Sequence, residues 1–162
     1  MTLLWRDGRL VVSNGPAGPD DGKISLEGFG SIKLLSTLAD AVRSGRTLSS
    51  GCSAFIGING GASQITASAA EGTGEISALS TTEPGYRTLS GVAIGSTDSE
   101  VRAVYGANLH DETVAVPGNE STFLVLRSPQ ARAADTYLWF IMYEGRVHGI
   151  DLLSANARPK FC

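Results

Sequence analysis

Apolar residues in this chain gather in short runs bounded by turn formers, the signature of β-strands. The longest run is Tyr137-Leu138-Trp139-Phe140-Ile141-Met142-Tyr143. As a strand it places Tyr137, Trp139, Ile141 and Tyr143 on one face and Leu138, Phe140 and Met142 on the other. Glu144-Gly145 then supplies a turn into a further strand over 146–153. Strands are also expected at 52–58, 63–69, 75–80 and 122–127, with Asn59-Gly60 as the turn between the first two. Leu3 to Ser13 reads as a hairpin turning at Asp7-Gly8, and the Gly-, Pro- and Asp-rich stretch 14–22 as a linker. The polar stretch around Pro117-Gly118-Asn119 is expected to be a loop.

Two stretches depart from this rhythm. Residues 91–106 read as a short strand, a capped helix over about 97–105 and a stop. Thr97 can accept from the backbone N–H of Glu100 while the Glu100 carboxylate reaches back to the N–H of Thr97, a capping box, and Gly106 ends the helix. A fainter copy lies at 30–45, where Thr37 and Asp40 stand 60 residues before Thr97 and Glu100 and predict a helix over about 37–44. Each helix has only about two turns and is marginal alone. Each must therefore lay an apolar side on a sheet: Leu38, Ala41 and Val42, or Val101, Val104 and Tyr105. The fold class expected is α+β, a tandem repeat of a short helix packed on an antiparallel sheet, preceded by an N-terminal hairpin. The boundaries are 1–22 for hairpin and linker, 23–85 for the first repeat and 86–162 for the second.

Composition narrows the function classes. With 162 residues, 42% hydrophobic and 18% charged, the chain can bury a globular core. Its net charge of −3 and scattered Lys and Arg argue against a nucleic-acid partner. No apolar run approaches the roughly 18 residues of a membrane-spanning helix, so no transmembrane segment is expected. The first residues lack the basic and apolar regions of a signal peptide, which leaves a cytosolic protein or one whose signal has been removed. Cys52 and Cys162 are either two unrelated thiols or a disulfide closing a loop of 110 residues. Such a bond would contribute about 4–5 kcal/mol in the chain-entropy model and would indicate an oxidising, extracytoplasmic compartment.

Catalytic chemistry is hard to assemble. His110-Asp111-Glu112 puts an imidazole beside two carboxylates, yet adjacent side chains project in different directions, so a solvated loop is expected rather than a metal site. His148 lies near Asp151 and, with a serine, would make a small secreted hydrolase, but no Gly-x-Ser-x-Gly elbow exposes a nucleophile. The glycine stretches at 28–30 and 57–61 lack nucleotide-binding spacing. No catalytic residue, metal or cofactor is assigned.

The pattern Gly91-x-x-Ile94-Gly95-x-Thr97-x-x-x-Val101-x-x-x-Tyr105-Gly106, followed by three strands, resembles the repeat of exported bacterial proteins similar to the beta-lactamase inhibitory protein (BLIP-like). Small outer-membrane-assembly lipoproteins share a related motif. The likeness covers residues 89–153 well and 28–82 weakly, where Leu35 replaces Gly95 and Gly45 alone stands for the Tyr105-Gly106 pair. It implies an extracytoplasmic, secreted or periplasmic protein, a monomer or weak oligomer, without enzymatic activity and with a protein partner. An inhibitor of a secreted or periplasmic enzyme is one form of that reading. Exposed aromatics would then grip the partner. The candidates are Trp139 and Tyr143, followed by Tyr137 and Tyr105.

Overall fold

The computed structural model describes residues 2–6, 9–13, 23–30, 32–43, 47–50, 56–60, 63–69, 74–116, 119–127 and 136–154. Strands β1 (Thr2–Arg6) and β2 (Arg9–Ser13) form the hairpin expected at the N-terminus, with Arg6 paired to Arg9. Short strands β3 (Lys23–Ser25), β4 (Gly28–Phe29) and β5 (Ile32–Lys33) follow, then α1 (Leu38–Arg43). Next come β6 (Thr47–Ser50), β7 (Ile56–Gly60), β8 (Ser63–Ala69), β9 (Ile76–Thr81) and β10 (Arg87–Thr88). Helix α2 (Asp98–Tyr105) runs into a single 3-10 turn, and β11 (Leu109–Val116), β12 (Asn119–Arg127), β13 (Thr136–Tyr143) and β14 (Arg146–Ser154) complete the order.

Strand dominates, and the two helices are short. One antiparallel sheet carries eight strands in the order β11-β12-β13-β14-β9-β8-β7-β6, so two four-stranded meanders meet edge to edge where β14 pairs with β9. At that seam Asp151 stands opposite Ser80, between the pairs Ile150↔Thr81 and Leu152↔Leu79. A four-stranded sheet, β10-β3-β4-β5, lies apart from it in the hydrogen-bonding scheme.

The two helices begin alike. The Thr97 hydroxyl accepts from the Glu100 N–H at 3.3 Å and the Glu100 carboxylate accepts from the Thr97 N–H at 2.7 Å. The Thr37 hydroxyl likewise accepts from the Asp40 N–H at 3.1 Å, and the Asp40 carboxylate from the Thr37 N–H at 3.0 Å. Each cap is also tied to the head of a sheet strand. The Gly95 N–H donates to the Val147 carbonyl and the Val147 N–H to that of Ser96, at 2.7 and 2.8 Å. The N–H groups of Leu35 and Ile76 make the matching bonds to the carbonyls of Ile76 and Ser36, both at 2.8 Å. Gly95 (φ 91°) and Leu35 (φ 66°) occupy the same left-handed backbone region, where a glycine is at ease and a leucine is not.

The main core lies on the helix side of the large sheet. There Leu124, Leu126, Leu138, Phe140, Ile150 and Leu152 pack with Val101 of α2 and with Ile24, Phe29 and Ile32 of the small sheet. The Tyr105 and Phe140 rings sit 5.7 Å apart. On the opposite face Phe123, Val125, Trp139 and Leu153 form a second cluster, with Phe123 and Trp139 edge to face at 5.1 Å. Burying both faces of the β13 region accounts for its near-continuous apolar run.

Several expectations need correction. Residues 91–95 do not form a strand, because left-handed glycines at Gly91 (φ 93°) and Gly95 turn the chain at both ends of the stretch. Val104 is 45% exposed: Val101 and Tyr105 line the buried side of this two-turn helix, and Val104 falls outside it. Asn59 and Gly60 belong to β7, paired with Gln64 and Ser63, so they are not the turn. Strand β11 stands where a polar loop is expected; its polar residues are carried by full pairing with β12, from Leu109↔Leu126 to Val116↔Asn119. His110-Asp111-Glu112 is thus strand rather than loop. Cys52 and Cys162 lie outside the described residues. Among the described residues no helix is long and apolar enough to cross a membrane.

Candidate interaction surface

Strands β13 and β14 join through a two-residue turn in which Glu144 (φ 49°) and Gly145 (φ 73°) both have positive φ, and Tyr143 pairs with Arg146 across it. That geometry matches the right-handed twist of the flanking strands. Just beyond, the pairing slips: Met142 faces Val147 and Ile141 faces Gly149, leaving His148 as an extra residue in β14. A bulge of this kind re-aims side chains. Val147 enters the main core at 2% exposure, while His148 remains exposed, its ring 5.9 Å from that of Tyr143. β9 slips at the corresponding place, where Ser68 faces Ala78 and Ala69 faces Ile76, with Ser77 extra.

Tyr143, His148, Arg146, Val147, Ile94 and Gly95 border a shallow cleft of about 330 Å3. The Arg146 guanidinium donates to the Gly95 carbonyl at 2.9 Å, fixing the cap of α2 to the β13–β14 hairpin. An aromatic ring, an imidazole and a guanidinium on one exposed rim suit contact with a protein surface.

The other aromatic candidates are placed differently. Tyr143 is 64% exposed, whereas Trp139 is 6% exposed within the second cluster. Tyr137 is half-buried against the same cluster. Tyr105 is half-buried on the main core, its hydroxyl donating to that of Thr88 at 2.8 Å. The four tyrosine and tryptophan candidates are therefore not gathered on one free face. Tyr137, Trp139 and Ile141 do share a side of β13, as their alternation predicts, with Leu138, Phe140 and Met142 on the other side in the main core.

His148 and Asp151 do not pair. Asp151 is buried at the seam and its carboxylate accepts a short hydrogen bond from the Ser80 hydroxyl. Desolvation pushes the Asp151 carboxyl up to about 6, against a lowering by that bond. Among the described residues no serine hydroxyl bonds His148. His110 and Glu112 fall on one side of β11 and Asp111 on the other, where it accepts from Arg102 at 2.6 Å. Arg102 also donates to Asp98 at 2.7 Å, and these two bonds, that to Asp98 first, hold its pKa above the usual arginine range. Backbone and side-chain bonds from Thr97 hold the Glu100 carboxyl below its usual value, as befits a capping carboxylate. Among the described residues no three His, Cys, Asp or Glu side chains cluster as metal ligands would.

Arg146 and Ser80 were not singled out in the sequence. Arg146 owes its place to the turn, whose Glu-Gly signal was readable; Ser80 owes its place to the β9–β14 seam, which no local pattern announces.

No protein-family model matches the chain, and no curated protein matches it. Among solved structures it is similar to an extracellular protein containing an SCP domain from Bacillus anthracis str. Ames, with a TM-score of 0.41 and 9% identity. That likeness covers 66% of this chain and 38% of the other, so the chain spans well under half the length of the protein it matches.

Proposed function

We propose that this chain is an exported, non-enzymatic binding module of two BLIP-like repeats, and that it engages a protein partner through the end of the β13–β14 hairpin. The observation that carries the contact is Tyr143, 64% exposed and held against the exposed His148 by a two-residue turn and a bulge. A large aromatic fixed in this way loses little side-chain entropy on binding, which is why tyrosine is frequent in interface hot spots. The repeat is supported by the matching caps at Thr37 and Thr97 and the matching ties of Leu35 to Ile76 and of Gly95 to Val147. The cell envelope or the exterior is the compartment in which the partner is sought.

Placing a photoreactive phenylalanine analogue at position 143 and irradiating the protein in an envelope extract tests the contact. A discrete crosslinked adduct is expected from position 143, not from position 105, and it is expected to weaken in a His148→Ala background. Crosslinking no greater at 143 than at 105 would remove the hairpin end as the binding surface.

A further inference from the structure

A second site is lined by residues of the small sheet, the end of α2 and the large sheet. β10 pairs with β3 in parallel, Arg87 with Lys23 and Thr88 with Ile24. The ladder is only two pairs long, and a partly open pocket of about 180 Å3 remains between it, the end of α2 and the large sheet. Ile24, Leu26, Leu126 and Leu138 form apolar walls, Thr88 and Tyr105 bring two hydroxyls, and Ser25 and Ser90 add two more. No charged side chain lines it among the described residues. An apolar cavity of about 150 Å3 is large enough to hold a benzene molecule.

The hydroxyls leave a proton unspent. Thr88 is 3% exposed; its Oγ1 accepts from the Val92 N–H at 3.1 Å and shares a hydrogen bond with the Tyr105 hydroxyl at 2.8 Å. Two hydroxyls carry two protons, and their mutual bond uses one. With Tyr105 donating to Thr88, the Thr88 hydroxyl proton has no acceptor among the described residues. A buried donor without an acceptor is costly, and a ligand that supplies one gains what the protein alone forgoes.

We infer that this pocket binds a small neutral molecule with an apolar body of about six to nine heavy atoms and one hydrogen-bond acceptor, such as a ketone or ester, its oxygen taking the spare proton of the Thr88–Tyr105 pair. A neutral ligand is favoured over a charged one because the walls carry no side chain of opposite charge to offset its desolvation. Leu89, 72% exposed beside the opening, gains apolar contact when the pocket is filled. The site is separate from the Tyr143 surface, so either can fail without the other.

The test is a 1H–15N NMR titration of the full chain with acetophenone, and with ethylbenzene as the hydrocarbon of similar shape. Saturable shifts centred on Thr88, Val92 and Tyr105 are expected for both probes. In the double variant Thr88→Val/Tyr105→Phe, acetophenone should lose about fivefold to tenfold in affinity while ethylbenzene keeps its own. Absence of saturation, or shifts centred elsewhere, overturns the site. Equal loss of both probes overturns the role of the hydroxyls. If the double variant loses native peak dispersion, the single variant Tyr105→Phe, which leaves the Thr88 proton in place, should retain acetophenone binding; loss of it there, with ethylbenzene retained, contradicts the proton count.

Discussion

Replacing Asp151 with asparagine removes a charge from the seam of the large sheet while keeping the shape that accepts from Ser80. The carboxyl titrates at about 6 in the fold against an ordinary value of 3.8, a rise of about two units. At 1.36 kcal/mol per unit this is a cost of about 3 kcal/mol whenever the group is ionised in both states. Because the folded pKa is the higher one, the folded state takes up a proton between about 6 and 4 while the unfolded chain does not. This residue's contribution therefore rises as pH falls through 6, is complete near 4, and is absent above about 7. Asp151→Asn should thus be more stable than wild type by about 1–3 kcal/mol near pH 7.5, the lower figure allowing for a weaker bond to a neutral acceptor, and about equal to it near pH 4.5. Urea unfolding followed by tryptophan emission, to which buried Trp139 contributes beside Trp5, at both pH values and for both proteins, reads the difference. A gap between the two proteins that does not change with pH would refute the reasoning.

Leu35 holds a left-handed backbone (φ 66°) while 58% exposed, so Leu35→Gly relieves strain and gives up little burial. The gain should be about 0.5–1 kcal/mol, or a rise in melting temperature of roughly 1–4 °C, and no rise in a thermal melt would count against the strain. Gly28 is the opposite case: a methyl there would meet the Ile32 carbonyl oxygen and the Lys33 backbone, neither able to move as a side chain can. Gly28→Ala should lose about 2 kcal/mol or more in the same urea assay, and a loss below about 0.5 kcal/mol would mean that β4 and β5 separate easily.

What the sequence disclosed was local. The capping box at Thr97, its copy at Thr37, the hairpin turn at Glu144-Gly145 and the strand Thr136–Tyr143 each depend on residues within a few positions of one another, and each stands where the pattern put it. What depends on distant partners was not readable. β11 has too little apolar periodicity to stand out, and it is a strand because β12 offers it a ladder. The bulge at His148 comes from a slip of pairing with Met142 and Ile141, and the Ser80–Asp151 contact from the β9–β14 seam. The candidate surface divides in the same way. Alternation told which side chains of β13 share a face, but not that Trp139 is covered while Tyr143, four residues on, is open to solvent.

β11 ends the order of the large sheet, and an end strand offers a row of unpaired backbone groups to any passing chain. Its residues His110, Asp111, Glu112 and Thr113 are all polar, two of them acidic. A second copy docking there antiparallel would bring carboxylates toward carboxylates and would have to strip water from them. The polar character that disguised β11 as a loop thus also makes it a poor template for a further strand of its own kind.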